Sequence, residues 1–215
     1  MSINIDKALW KTAIGENTWP LNVSPLNTWV VHTGKGAPVS RWWPTSTYFE
    51  MATYQGVAND NECQYYCLSE KFFNFGTYQA VAIISDMEIS RWAYPLMFET
   101  ALGGSAITSP PGATEKAGHI LFQAKDDFIT QVLTGYDGYG EAAIFTGWTT
   151  SNQTTLKFVW ATGSVNYYVN GALKVTHTTY VPQDPLPYTL EIWQNLKATE
   201  YTNPVRMFVK NFAEL

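Results

Sequence analysis

Apolar and polar positions alternate most cleanly between Leu156 and Asn195. Val165, Tyr167 and Val169 interleave with Asn166 and Tyr168, a two-residue period that predicts a strand with one apolar face. Asn170-Gly171 follows at once and suits the positive φ angles of a tight hairpin turn. Leu173 and Val175 resume the alternation on the return strand. A loop bounded by Pro182, Pro185 and Pro187 then leads to a strand ending at Trp193. Elsewhere the pattern predicts strands over Thr28–His32, Tyr48–Tyr54, Glu62–Glu70, Gly76–Ile84, Ala93–Ala101, His119–Ala124, Phe128–Thr134, Ala142–Thr146, Thr155–Ala161 and Val205–Phe212. No segment has the 3.6-residue period of an amphipathic helix. Many short strands without helices predict an all-β sandwich or barrel. Gly103–Gly118, rich in Gly, Ser, Thr and Pro, is the longest predicted loop. No repeat or linker divides the 215 residues, so one domain spanning 1–215 is expected.

Composition narrows the functional classes. Charged residues make up 14% of the chain, against roughly 25% in an average globular protein. Aromatics reach 15%, with nine Trp and thirteen Tyr. A surface this poor in charge relies on Thr, Ser, Asn, Gln and Tyr, a style compatible with an extracellular or particle-surface setting. The formal net charge of −5 and the lack of any Lys/Arg run argue against a nucleic-acid partner. No apolar run is long enough to span a bilayer, and the amino terminus carries no signal-peptide core. Cys63 and Cys67 lie in one strand-like run. Four extended residues span roughly 13 Å, and a disulfide needs Cα atoms within about 7 Å, so two buried free thiols are expected.

The run from the Asn170-Gly171 hairpin to Trp193 resembles the closing part of the family 16 glycoside hydrolases, the laminarinase and lichenase group, where a "WYVDG" hairpin precedes "P…P…LNLW". SEKFFNFGTYQ (Ser69–Gln79) is similar to that family's "S…f.YGlYE.r" strand pair, and NPVRMFVKNFAEL to its last strand. The resemblance covers roughly Glu62 to Leu215. It implies a concanavalin A-like jelly roll, two antiparallel sheets with a concave groove. It also implies a polysaccharide or oligosaccharide as partner.

The resemblance breaks at the chemistry. The family's catalytic strand reads E-I-D-I-E or E-I-D-x-x-E, with nucleophile, tuning Asp and acid/base on one face. The matching segment here is Gly118-His119-Ile120-Leu121-Phe122-Gln123-Ala124. His119 stands at the nucleophile position, Leu121 at that of the Asp, and Gln123 or Ala124 at the acid/base. A retaining glycosidase needs two carboxyl groups about 5 Å apart, and this strand supplies none. The leading expectation is therefore a non-catalytic, lectin-like protein. Its expected ligand-binding residues are Trp193, Glu191, Gln123, His119, Tyr66, Gln131 and Phe98, since sugar rings stack on aromatics and their hydroxyls seek amides and carboxylates.

Three alternatives stand beside it. Relocated acids, Glu99 and Glu191, would make a glycosidase, with His119 a further weak candidate. A His119/Gln123 pair resembles that of jelly-roll alginate lyases, whose Arg-rich strand and "YFKxGxYxQ" strand are missing here. A structural or adhesion protein, such as a surface or virion component, would use the sandwich as a rigid block and self-associate. His32 and His177 are expected at exposed strand ends. No cofactor or metal site is implied, although such sandwiches can carry a structural calcium.

Overall fold

The computed structural model describes residues 10–11, 30–32, 40–44, 49–53, 62–85, 91–99, 101–102, 105–106, 118–125, 129–136, 139–145, 152–195 and 205–215. Among them every regular element is a strand: β1 (Trp10–Lys11), β2 (Val30–His32), β3 (Ser40–Pro44), β4 (Phe49–Thr53), β5 (Glu62–Phe73), β6 (Gly76–Ser85), β7 (Arg91–Glu99), β8 (Ala101–Leu102), β9 (Ser105–Ala106), β10 (His119–Lys125), β11 (Ile129–Tyr136), β12 (Tyr139–Phe145), β13 (Thr154–Ala161), β14 (Ser164–Val169), β15 (Ala172–His177), β16 (Leu186–Asn195) and β17 (Val205–Glu214). One sheet runs β1-β5-β16-β7-β10-β11-β12, with β2 also on β5, and the other runs β15-β14-β13-β6-β17-β4-β3. All pairings are antiparallel. The architecture is the expected jelly-roll sandwich. No helix long and apolar enough to cross a membrane occurs among the described residues.

The predicted hairpin forms as read. Asn170 and Gly171 adopt φ of 49° and 81° and close the pair Val169↔Ala172. Asn tolerates the left-handed region better than most residues. It is fixed further by Thr155, whose N–H donates to Asn170 Oδ1 at 2.9 Å and whose carbonyl accepts from Asn170 N at 2.8 Å. Pro187 departs from expectation. It lies inside β16 rather than in a preceding loop, at a register break between Pro187 and Thr189, where a missing N–H is tolerated. The segment predicted as an irregular loop, 103–118, contributes Ser105–Ala106 to a small hairpin with β8; 107–117 lie outside the described residues. Cys63 and Cys67 share the single strand β5, and their side chains lie outside the described residues.

Alternation builds the core from both sheets. Leu156, Phe158 and Trp160 of β13 and Val165, Tyr167 and Val169 of β14 face Phe98, Ile120, Phe122, Tyr188 and Ile192 across the sandwich. Small Ala80, Ala82, Ala93 and Ala124 leave room for the rings. Phe98 stacks on Phe73 at 5.1 Å and meets Phe158 edge-on at 5.1 Å. Phe98 was expected to line the groove, and the structure overturns this: it is fully buried between the sheets. Adjacent residues on a strand point to opposite faces, so Phe98 and Glu99 could not both face outward.

His177 is a second correction. It was expected at an exposed strand end and is fully buried. Its Nδ1 lies 3.0 Å from Thr134 Oγ1, which lies 2.5 Å from the Tyr167 hydroxyl. Tyr167 donates its one hydroxyl proton to the Leu133 carbonyl at 2.6 Å. Thr134 must then donate to Tyr167 and accept from His177 Nδ1–H. The proton count fixes the tautomer and leaves Nε2 bare, buried and without a hydrogen-bond partner. Burial holds this imidazole below its ordinary pKa, against an opposing pull from Glu141.

Candidate functional site

The outer face of the eight-stranded sheet follows from the core register. Ile120, Phe122 and Ala124 point inward, so His119, Leu121 and Gln123 of β10 share the outer face. Pairing places Glu99 beside His119 and Met97 beside Leu121 on β7. On β16, Thr189 pairs with Met97, Glu191 with Tyr94, and Trp193 with Trp92. Beyond them, β5 brings Tyr66 opposite Glu191, and β11 brings Gln131 opposite Gln123. Six of the seven sequence-predicted binding residues, Trp193, Glu191, Gln123, His119, Tyr66 and Gln131, thus fall at contiguous paired positions by register, together with the catalytic candidate Glu99. The side chains of Trp193, Tyr66 and Gln131 lie outside the described residues.

Tyr94 was not anticipated. Strict alternation from Glu99 would turn it inward, but the pairing slips between Phe122 and Ala124 and between Thr189 and Glu191. This bulge returns Tyr94 to the outer face, where its hydroxyl accepts from Gln123 Nε2 at 2.6 Å. The sequence signal was Pro95, which sits within a strand interior only at an edge or a bulge.

The face is graded in exposure. Met97 and Thr189 are fully buried, and Tyr94, Leu121 and Glu191 nearly so. His119, Gln123, Glu99, Trp92 and Leu133 remain partly exposed. Thr189 Oγ1 is buried without a hydrogen-bond partner. The electrostatics follow from closeness and desolvation. Burial, and then the charge of Glu191, hold the Glu99 carboxyl well above the usual carboxylate range. Burial and the charges of Glu191 and Glu99 also raise the Tyr94 hydroxyl, against the Gln123 hydrogen bond. Burial lowers His119 to about 4, so its imidazole is neutral at pH 7.

His119 depends on two glycines. A Cβ at Gly135 would collide with the Tyr139 carbonyl oxygen and lie 2.7 Å from His119 Nε2. A Cβ at Gly140 would stand 3.7 Å from the same nitrogen. The imidazole therefore fills space that the paired glycines of β11 and β12 leave open. Among the described residues, no group of three His, Cys, Asp or Glu side chains could hold a metal ion. His32 has its side chain outside the described residues.

Sheet order, register and outer face together define a jelly roll of the family 16 β-glucanase type. Solved structures of this type are similar over nearly the whole chain. The β-glucanase of Bacillus licheniformis superposes with a TM-score of 0.67 at 19% identity, covering 95% of this chain and 90% of its own. A β-1,3-1,4-glucanase (lichenase) derived from a mouse hindgut metagenome gives 0.66 at 14% identity, covering 96% and 94%. The catalytic domain of an endo-1,3-β-glucanase (laminarinase) from Thermotoga petrophila gives 0.61 at 13%, covering 96% and 91%. At these identities the likeness is one of fold. No protein-family model and no curated protein sequence matches the chain.

Proposed function

We propose that this protein binds a polysaccharide or oligosaccharide on the outer face of its eight-stranded sheet without cleaving it. The observation that carries the reading is the outer face of β10. Its described outward side chains are His119, Leu121 and Gln123, and none is a carboxyl that could serve as a glycosidase acid or nucleophile. The same face offers hydrogen-bonding groups to sugar hydroxyls: the Gln123 amide joined to Tyr94, neutral His119 and the carboxyl of Glu99. Glu191 and Trp193 share one strand phase, which suits a stacking ring beside a carboxylate. Solved structures of similar fold are named as enzymes of β-glucan breakdown, which makes a glycan the first ligand class to try.

The test is a glycan-array screen beside a reducing-sugar release assay on β-1,3/1,4-glucans, galactans and alginate, with wild type and Trp193→Ala. Binding lost in the variant, without product release, supports the reading. Product release overturns it.

A second reading has its own observation. Burial and the nearby charge of Glu191 raise the Glu99 carboxyl well above the usual carboxylate range. Two carboxyls whose surroundings push their ionisation apart are what a glycosidase acid and its partner need. On this reading Glu99→Gln abolishes product release. A third reading, a rigid structural block, draws on the burial of Met97 and Thr189 in the middle of the face; silence in both assays favours it.

A further inference from the structure

An antiparallel sandwich must manage the ends of its sheets, because a bare edge strand offers unpaired N–H and C=O groups to any passing strand. Most described edges here carry a recognised safeguard. Among the described residues β1 and β2 span two and three positions, and β1 contains Lys11. β3 contains Arg41 and Pro44. β15 carries exposed Lys174, and its pairing with β14 slips between Tyr167 and Tyr168.

Among the described residues, the remaining edge of the two large sheets, β12, has none of these. Its sequence YGEAAIF lacks Lys, Arg and Pro. It pairs with β11 residue for residue from Thr130↔Phe145 to Tyr136↔Tyr139, without a bulge. Tyr139 is 62% exposed and Ile144 66%. Its one charge is turned away from the edge: Glu141 Oε2 accepts from Thr178 N and Thr179 N, both at 2.9 Å, and from Thr179 Oγ1 at 2.8 Å. Two further exposed apolar side chains lie on this flank, while Phe75 and Leu215 are exposed elsewhere. Tyr180 stacks on Tyr139 at 5.7 Å, and Leu173 lies on β15, the strand of the other sheet that packs against β12. A concentration of large exposed side chains on one flank marks an interaction surface.

We propose that β12 is a self-association edge, pairing antiparallel with β12 of a second copy to join two eight-stranded sheets. The strand is complementary to itself about a two-fold axis at Ala142. In that register Ala142 meets Ala142, Glu141 meets the partner's Ala143, and Ile144 meets the partner's Gly140. The large side chain fills the gap left by the glycine, and no like charges oppose each other. A peptide or another protein would satisfy the backbone groups too, but the fit of Ile144 to Gly140 is supplied by this chain. The proposal does not depend on glycan binding.

Sedimentation velocity at micromolar concentrations, with wild type, Ile144→Lys and Ala142→Lys, tests it. Both substitutions add the missing charge at exposed positions, so the melting temperature should change little. The expected result is a wild-type dimer and monomeric variants. A wild-type monomer, or a dimer that survives both substitutions, overturns the proposal. Register is tested by oxidising Ala142→Cys and Tyr139→Cys and comparing each with wild type, which has the same two native cysteines. A covalent dimer from Ala142→Cys alone supports the two-fold register, because directly opposed Cβ atoms stand about 5 Å apart. Cross-linking of Tyr139→Cys but not Ala142→Cys overturns it.

Discussion

Two residues of the outer face make stability depend on pH in opposite senses. The folded pKa of Glu99 lies above its ordinary value of 4.5. Its contribution favours the fold at acid pH and is lost as pH rises toward the folded value. Glu99→Gln should therefore raise the melting temperature at pH 7, and the difference from wild type should vanish near pH 4. For His119 the folded value is about 4 and the ordinary value 6.5. The unfolded chain takes up the proton first, so stability falls as pH drops from 6.5 towards 4. His119→Gln should flatten that arm of the profile. Melting curves of both variants across pH 4–8 separate the two effects. Gly135→Ala is the steric counterpart. The added methyl meets the Tyr139 carbonyl and the His119 ring, and backbone cannot yield as a flexible side chain can. A loss of about 1–3 kcal/mol is expected, read from urea unfolding.

Elements show where local sequence suffices and where it does not. The β14–β15 hairpin was legible because strand alternation and the Asn170-Gly171 turn point to the same answer. Asn170→Ala removes both the residue suited to φ 49° and the acceptor for Thr155 N–H, and should cost about 1–2 kcal/mol in urea unfolding. Tyr94 of β7 was missed because a bulge at Pro95 changes the strand's phase: Glu99 and Met97 face outward, and so does Tyr94. Alternation counts residues, and a bulge inserts one that the count does not see. The link from His177 through Thr134 to Tyr167 joins β15, β11 and β14 and could not be read from any one of them. Thr134→Val leaves its two buried partners without their common hydroxyl, an expected loss of about 1–3 kcal/mol by the same measurement.

At the scale of the whole molecule, both sheets close on one core centred on Phe98, whose ring touches Phe73, Tyr78, Phe158 and Tyr188. Neither sheet buries its apolar face alone, so a single cooperative unfolding transition is expected. Phe98→Ala should destabilise the protein by about 3–5 kcal/mol, the range for emptying a packed aromatic site. Coincident denaturation curves by fluorescence and circular dichroism check the cooperativity.

The sequence alone determined the strand content and the tight hairpin, because two-residue alternation and turn chemistry are local properties of the chain; the jelly-roll type was carried by its resemblance to the family 16 glycoside hydrolases. It also determined that the strand from His119 carries no carboxylate, since that needs only residue identity. Tertiary structure decided which side chains meet. Phe98 went to the core and Tyr94 to the outer face, His177 became a buried link between the sheets, and Glu99 came within electrostatic reach of Glu191. Each outcome depends on pairing and packing between segments far apart in the chain. A bulge or a neighbouring strand resets phase, burial and charge there, and the local pattern of one segment holds no record of it.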